Sequence, residues 1–203
     1  ISEVAYQSSL NYAKERLQGK SADSKNIADP IIVHPEIRKN LLHMKSLNEG
    51  LRALMIWVGS QFDIIKSTND DEIRNRSQNI ISLMTPIIKS FATEVGCKSA
   101  NLALQIHGGH GYIKDHGIEQ LVRDARITPI YEGTNGIQAL DLIGRKMQMN
   151  NGVIINNFFS IVNEFLDQVS SNSKLDNLVY KFKNHFEELV FITKHLRSID
   201  KDK

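Results

Sequence analysis

The chain has 203 residues, with 25 Lys and Arg against 23 Asp and Glu, and a formal net charge of +2 at pH 7. A balance this even argues against a protein that binds nucleic acid through a concentrated basic face. The single cysteine, Cys97, excludes an internal disulfide framework, and the apolar run Leu54 to Val58 is far shorter than the roughly 20 residues that cross a bilayer.

The hydrophobic pattern predicts helices along the whole chain and no strand. Residues 1–18 are predicted to form a short helix whose inward positions are Val4, Ala5, Tyr12, Ala13 and Leu17, and residues 19–34 are predicted to form a loop. A long helix follows from about Ile37 to Ile65, where apolar residues recur in steps of four and three. Further helices are predicted near 72–105, 118–125, 137–147, 153–169 and 175–196, and residues 200–203 should be frayed.

These elements predict an all-α fold, a bundle of long helices with an added helical tail. We assign residues 1–147 to the bundle domain, residues 148–152 to a linker, and residues 153–203 to a helical extension. The chain opens at Ile1 without a methionine, in sequence that is already helical in pattern. We therefore expect it to be a piece of a longer protein.

Backbone freedom is concentrated in one segment, because seven of the 12 glycines fall between Gly108 and Gly144. Three blocks lie there: QIHGGHGY at 105–112, RDAR at 123–126 and IYEGTNGIQ at 130–138. Together with YAKERLQG at 12–19, these blocks resemble the C-terminal domain of the acyl-CoA dehydrogenases in order and spacing. The resemblance covers roughly residues 1–147 and is greatest to the bacterial branch that includes the methylmercaptopropionyl-CoA dehydrogenases.

This resemblance implies an FAD-dependent α,β-dehydrogenation of an acyl-CoA thioester. In the family the glutamate of the YEGT block, here Glu132, is the catalytic base that removes the α-proton, while the β-hydride passes to the flavin. A carboxylate held against the α-carbon suits that proton transfer. Tyr131 and Gly133 flank the base and are expected to bind substrate.

The resemblance also implies flavin contacts at single positions. Arg16 matches an arginine that reaches the FAD pyrophosphate, a task for which a guanidinium fork is suited. Gln18 matches a neighbouring hydrogen-bonding position. The segment that holds the adenosine end of FAD across a subunit interface is matched by Gln105, Gly108 and Gly109. Contacts after the catalytic loop are matched by Thr134 and Gly136.

Two other groups of side chains invite a chemical interpretation. His107, His110 and His116 lie close in sequence, but their spacing matches no zinc pattern and no cysteine joins them, so we expect no metal site. The charged residues of the RDAR block are interpreted as an ion-pair cluster that holds the loop before Glu132.

The partners implied by the resemblance are an acyl-CoA substrate, one or three further copies of the protein in a homodimer or homotetramer, and an electron-transfer flavoprotein, in a bacterial cytoplasm. Two alternatives remain open: a helical oligomerisation or binding module without dehydrogenase activity, and an acyl-CoA oxidase. The family also has an N-terminal helical domain and a middle β-domain, neither of which is in this sequence. We therefore expect the 203-residue chain alone to be inactive.

Overall fold

The structure is a computed structural model, and it describes residues 1–169 and 173–199. In these ranges the chain forms eight α-helices and no strand, which confirms the all-α prediction. The predicted fraying of residues 200–203 lies outside the described residues. The helices are α1 (Ser2–Glu15), α2 (Pro35–Ser67), α3 (Asp71–His107), α4 (Gly109–Tyr112), α5 (Ile118–Arg126), α6 (Asn135–Leu140), α7 (Val153–Val169) and α8 (Asp176–Ser198).

Helix α1 ends three residues before its predicted end at residue 18. Arg16 has extended backbone angles, φ −69° and ψ 118°, and Leu17 then pairs with Pro30 in an isolated antiparallel bridge. The Gln18 backbone N–H donates to the Asp29 carbonyl at 2.9 Å. These long-range bonds satisfy backbone groups that would otherwise extend the helix.

The prediction that Val4 and Leu17 face inward is wrong, because their side chains are 55% and 57% exposed. The same prediction is confirmed for Ala5 and Ala13, which are fully buried. Small side chains at these positions allow neighbouring backbones to approach closely. The buried face of α1 is therefore narrower than the predicted one.

One compact unit of the chain comprises Ile1–Trp57 and Ile88–Asn135. Its core is drawn from α1, the first half of α2, the end of α3 and the start of α5. The buried members are Ala5, Ala13, Ile31, Leu41, Met44, Ala103, Ile106 and Ile118. This unit contains every predicted site residue except Gly136.

The second unit comprises Val58–Ile87 and Gly136–Lys203. Within it, α6 passes into a π-helical segment at Asp141–Lys146, so the helix predicted near 137–147 is not uniformly α-helical. Helices α7 and α8 pack through Phe159 and Phe186, whose ring centroids are 5.6 Å apart. The domain boundaries at 147 and 153 stay a prediction.

The predicted linker at 148–152 has an unusual backbone. Asn150, Asn151 and Gly152 have φ values of 50°, 55° and 85°, so three successive residues are left-handed. Asparagine tolerates this conformation better than most residues that carry a side chain. The connection is therefore a specific turn, rather than an extended linker.

Helix α3 is, by length and composition alone, apolar enough to cross a membrane. No strictly apolar run within this helix is long, so the run length in the sequence did not predict a membrane span here. Core helices of other proteins meet the same criterion.

Candidate functional site

A buried carboxylate organises the loop between α1 and α2. Asp29 is 4% exposed and accepts four hydrogen bonds. The donors are the Ser21 backbone N–H at 2.8 Å, the Ser21 hydroxyl at 3.0 Å, the Ser24 hydroxyl at 2.7 Å and the Asn26 amide at 2.8 Å. These bonds, led by the Ser21 backbone N–H, hold the pKa of Asp29 well below its usual range. The loop therefore closes around an ionised group.

The same loop presents the residues that follow Arg16. Gly19 has a φ of 69°, and its carbonyl accepts from the Asp29 backbone N–H at 2.9 Å. His34 Nε2 donates to the Gln18 carbonyl at 2.7 Å. Backbone hydrogen bonds to Asp29 thus fix both residues of the Gln18–Gly19 segment.

A cleft of about 630 Å³ lies between this loop and the end of α3. Its lining includes five of the seven residues predicted to contact flavin: Arg16, Gln18, Gln105, Gly108 and Gly109. The other two, Thr134 and Gly136, do not line it. A Cβ placed on Gly108 or Gly109 meets no atom within 4 Å, so the backbone there is open to an incoming group. A guanidinium, two carboxamides and open glycine backbone are donors suited to phosphate and hydroxyl oxygens.

One wall of the cleft is aromatic. The rings of Tyr12 and His107 stack with their centroids 4.3 Å apart, and the Tyr12 hydroxyl lies 2.9 Å from His110 Nδ1. His107 Nδ1 donates to the Ala103 carbonyl at 2.8 Å. Burial lowers the pKa of His107, and the charges of His116 and His110 act in the same direction. At neutral pH this histidine is neutral, so its Nε2 is an acceptor on the cleft wall.

Glycines determine how the chain turns from α3 into α4. Gly108 has a φ of 58°, a conformation that favours glycine. At Gly111 the reason is space: a Cβ there would lie 2.8 Å from the Leu104 carbonyl oxygen and 2.8 Å from His107 Cβ. The spacing of the GGHG block therefore reflects one left-handed turn and one close backbone approach.

The loop that carries the candidate base has a left-handed backbone. Glu132 has a φ of 55° and Gly133 a φ of 85°. A left-handed residue other than glycine costs roughly 1–2 kcal/mol and concentrates at functional sites. The side chains of Tyr131 and Glu132 are exposed, and the loop is closed by the Asn135 backbone N–H, which donates to the Pro129 carbonyl at 3.2 Å.

A lysine on α3, which none of the sequence blocks contains, holds this loop. Lys89 Nζ donates to the Gly133 carbonyl at 2.7 Å and to Asn135 Oδ1 at 3.1 Å. The Thr93 hydroxyl also donates to Asn135 Oδ1, at 3.3 Å. These partners are more than 40 residues apart in sequence, so no local pattern brings them together.

The loop-holding role assigned to the RDAR block is wrong for its first two residues. Arg123 pairs with Glu119 at 2.9 Å, and Asp124 accepts from the Gln120 amide at 2.6 Å. Both contacts are one helical turn long and remain within α5. Charged residues at this spacing on an exposed helix satisfy each other before they reach a distant loop.

Across residues 1–169 and 173–199, no group of three or more His, Cys, Asp and Glu side chains is placed to hold a metal ion. His110 and His116 stack with ring centroids 4.8 Å apart, and Tyr12 bonds to the first of them. The histidines near the cleft thus make ring contacts and hydrogen bonds.

Comparison with known proteins identifies the family. The model of the acyl-CoA dehydrogenase C-terminal domain matches residues 2–148. The chain belongs to the acyl-CoA dehydrogenase family. This match includes all ten predicted site residues, and it confirms the resemblance drawn from the sequence blocks.

Curated acyl-CoA dehydrogenases are similar to most of the chain. A 3-methylmercaptopropionyl-CoA dehydrogenase from Ruegeria pomeroyi is 44% identical over 163 residues, which are 80% of this chain and 28% of that protein. A butyryl-CoA dehydrogenase from Syntrophomonas wolfei is 32% identical over 164 residues, 80% of this chain and 27% of that protein. The chain thus spans less than a third of the length of these relatives.

Solved structures of the acyl-CoA dehydrogenase family share the fold. Caenorhabditis elegans ACDH-11, solved in complex with C11-CoA, superposes with a TM-score of 0.78 at 20% identity, covering 93% of this chain and 30% of that one. An acyl-CoA dehydrogenase from Bacillus anthracis, solved with FAD, gives a TM-score of 0.64 at 26% identity, covering 83% of this chain and 29% of that one. The first match extends the shared fold into the helical tail.

Proposed function

We propose that the full-length protein is an FAD-dependent acyl-CoA dehydrogenase, and that this chain supplies its catalytic base and part of its flavin site. The observation that carries the proposal is the left-handed Glu132–Gly133 pair, which places an accessible carboxylate on a pinned loop within the family's matched region. The strain at Glu132 is hard to explain for a loop without a function.

In this reaction Glu132 accepts the α-proton of the acyl thioester. The carboxylate must lie within hydrogen-bond reach of that carbon, and the thioester carbonyl must be polarised by a donor such as the Glu132 backbone N–H. Gly133 keeps the backbone beside the base free of a Cβ, so the thioester has room to approach. Tyr131, on the other side, contributes an exposed ring to the acyl side of the site.

The cleft residues fit the phosphates and nucleoside of a dinucleotide. Arg16 would pair with the pyrophosphate, Gln18 and Gln105 would bond to neighbouring oxygens, and Gly108 and Gly109 would offer backbone N–H groups. The stacked Tyr12 and His107 rings give a nucleobase a flat wall. Thr134 and Gly136 are assigned to the flavin end. Bound FAD would supply the acceptor for the β-hydride.

A cofactor shared between two chains accounts for the separation of the site residues into those that line the cleft and those near Glu132. The cleft lining does not include Glu132, Thr134 or Gly136. If one chain holds the adenosine end of a cofactor whose flavin reacts beside another chain's Glu132, both groups are used. We therefore propose a homodimer or homotetramer, with an electron-transfer flavoprotein as the oxidant of the reduced enzyme.

The test uses the full-length protein encoded by the parent gene. Its visible spectrum is recorded before and after an acyl-CoA is added in the absence of oxygen. The acyl-CoA is 3-methylmercaptopropionyl-CoA or butyryl-CoA, after which two of the relatives are named. We expect a yellow protein that bleaches, a Glu132→Gln variant that stays yellow, and a Glu49→Gln control on α2 that bleaches like wild type. Glu49 is exposed and pairs only one turn away with Lys45 at 3.7 Å.

Each contrary result points to a different conclusion. A full-length protein without flavin favours the helical binding module. A Glu132→Gln variant that bleaches at the wild-type rate places the base elsewhere. Rapid reoxidation by air, with no response to an electron-transfer flavoprotein, favours the oxidase.

A further inference from the structure

We infer that Lys89 is a positioning residue for Glu132: its ammonium group holds the Gly133 carbonyl and the Asn135 side chain, and thereby fixes the backbone from which the base projects. This inference rests on the proposed dehydrogenase function. It concerns a residue of α3 that touches neither of the reacting carbon atoms.

The first step of the argument is the softness of the Gly133 peptide. Gly133 has a φ of 85° and no Cβ, so its own side chain restricts neither neighbouring torsion. The peptide plane next to the base is therefore free to rotate unless an external bond holds it. Lys89 Nζ makes such a bond, because it donates to the Gly133 carbonyl oxygen at 2.7 Å. An ionised donor makes it about twice as strong as a neutral hydrogen bond.

The second step is the anchoring of Asn135, which begins α6 three residues after the base. Its Oδ1 accepts from Lys89 and from Thr93, while its Nδ2 donates to Glu94 Oε1 at 3.3 Å. Both the oxygen and the nitrogen of the Asn135 amide are hydrogen-bonded, so a flipped amide would place its NH2 group against the donors Lys89 and Thr93. Its backbone N–H closes the loop onto the Pro129 carbonyl.

The third step joins the two anchors. Lys89 is bonded on both sides of Thr134, once to the residue before it and once to the residue after it. The Lys89 ammonium group therefore acts with the Thr93 and Glu94 bonds to Asn135 to set the direction of the chain that leaves Glu132. Misplacement of a reacting group by about 1 Å can cost roughly 100-fold in rate. Loss of this cation should slow proton removal more than it weakens substrate binding.

The experiment compares Lys89→Met, Lys89→Arg and a Lys98→Met control in the full-length protein. Lys98 is exposed on the same helix, so its replacement tests the loss of an α3 cation alone. Flavin reduction by butyryl-CoA or 3-methylmercaptopropionyl-CoA, whichever bleaches wild type, is followed by stopped flow. The flavin content, the apparent Kd of that acyl-CoA and the amide hydrogen exchange of residues 129–138 are measured for each variant.

For Lys89→Met we expect about 100-fold slower flavin reduction, with an apparent Kd within about 3-fold of wild type and full flavin content. Hydrogen exchange in residues 129–138 should be faster. Lys89→Arg should recover most of the rate, because it keeps a cationic donor, and Lys98→Met should match wild type. In a Glu132→Gln background, Lys89→Met should cause no further loss.

Two results would overturn the positioning role. One is a Lys89→Met variant that reduces at the wild-type rate. The other is a variant that loses flavin and thermal stability in step with its rate and is not recovered by arginine, as a purely structural lysine would be. If wild type is not reduced by either acyl-CoA, the proposed function fails separately. Amide hydrogen exchange of residues 129–138 then tests the role of Lys89 by itself. Exchange that is faster only in Lys89→Met supports the positioning role, and unchanged exchange overturns it.

Discussion

Replacement of Gly111 and of Gly109 by alanine should have opposite consequences, although the two glycines are two residues apart in the same short helix. A Cβ at Gly111 would lie 2.8 Å from the Leu104 carbonyl oxygen, 2.8 Å from His107 Cβ and 3.1 Å from Leu104 Cα. A Cβ at Gly109 meets no atom within 4 Å and projects into open space. Gly111→Ala should therefore destabilise the fold, and Gly109→Ala should affect only what binds in the cleft.

The magnitude follows from which atoms are in the way. Two of the three close atoms at Gly111 belong to the Leu104 backbone, so the clash cannot be relieved by a side-chain rotation. Overpacking of this kind costs about 1–3 kcal/mol, against a gain of about 0.5–1 kcal/mol from alanine's lower conformational entropy in the unfolded chain. We expect a net loss of about 1 kcal/mol for Gly111→Ala, and a change within about 0.5 kcal/mol, or a small gain, for Gly109→Ala.

The assay is urea unfolding of the 203-residue chain, followed by circular dichroism at 222 nm. Flavin affinity of the full-length variants is measured in parallel. In a thermal scan of a chain of this size, a loss of about 1 kcal/mol corresponds to a fall in Tm of roughly 2–4 °C. Gly109→Ala should keep the wild-type midpoint and bind FAD more weakly. Equal midpoints for Gly111→Ala and wild type would refute the close-approach argument, and unchanged FAD affinity in Gly109→Ala would refute the placement of the cofactor.

Three further predictions concern other parts of the chain. The pKa of Asp29 is lower in the folded chain than its ordinary value of about 4, so its ionised carboxylate stabilises the fold above that pH and loses this effect on further acidification. The difference in stability between wild type and Asp29→Asn, measured by urea unfolding, should therefore shrink below about pH 4. Gly152→Ala should destabilise the chain by about 1–2 kcal/mol, because Gly152 has a φ of 85°, whereas Gly144→Ala, whose Cβ meets no atom within 4 Å, should cost less in the same assay. The 203-residue chain supplied with FAD should give no acyl-CoA-dependent dye reduction, and measurable turnover would contradict this.

The long helices were predictable because their apolar periodicity persists over many turns. Helices α2 and α3 begin and end within two residues of the predicted bounds. The end of α1 was not predictable in this way. It depends on Leu17 pairing with Pro30 and on Gln18 bonding to Asp29, contacts that join residues more than ten positions apart. Local pattern does not report such contacts.

The candidate site divides in the same manner. Gln105, Gly108 and Gly109 lie within five residues of sequence, so their block placed them together without further information. Arg16 joined them through resemblance alone. The physical reason for its position, a loop closed around ionised Asp29, showed in the sequence only as a polar stretch rich in serine.

The conformation of the loop that carries Glu132 shows why the YEGT block alone does not determine its geometry. Glycine at position 132 would adopt a φ of 55° with less strain, but it carries no carboxylate, so the chain accepts a cost of roughly 1–2 kcal/mol there. A hydrogen bond from a charged donor contributes about 1.5–3 kcal/mol, which is enough to offset that cost. In this chain the donor is Lys89, 44 positions before Gly133. Glu132 is thus held in a strained conformation by a residue outside its motif.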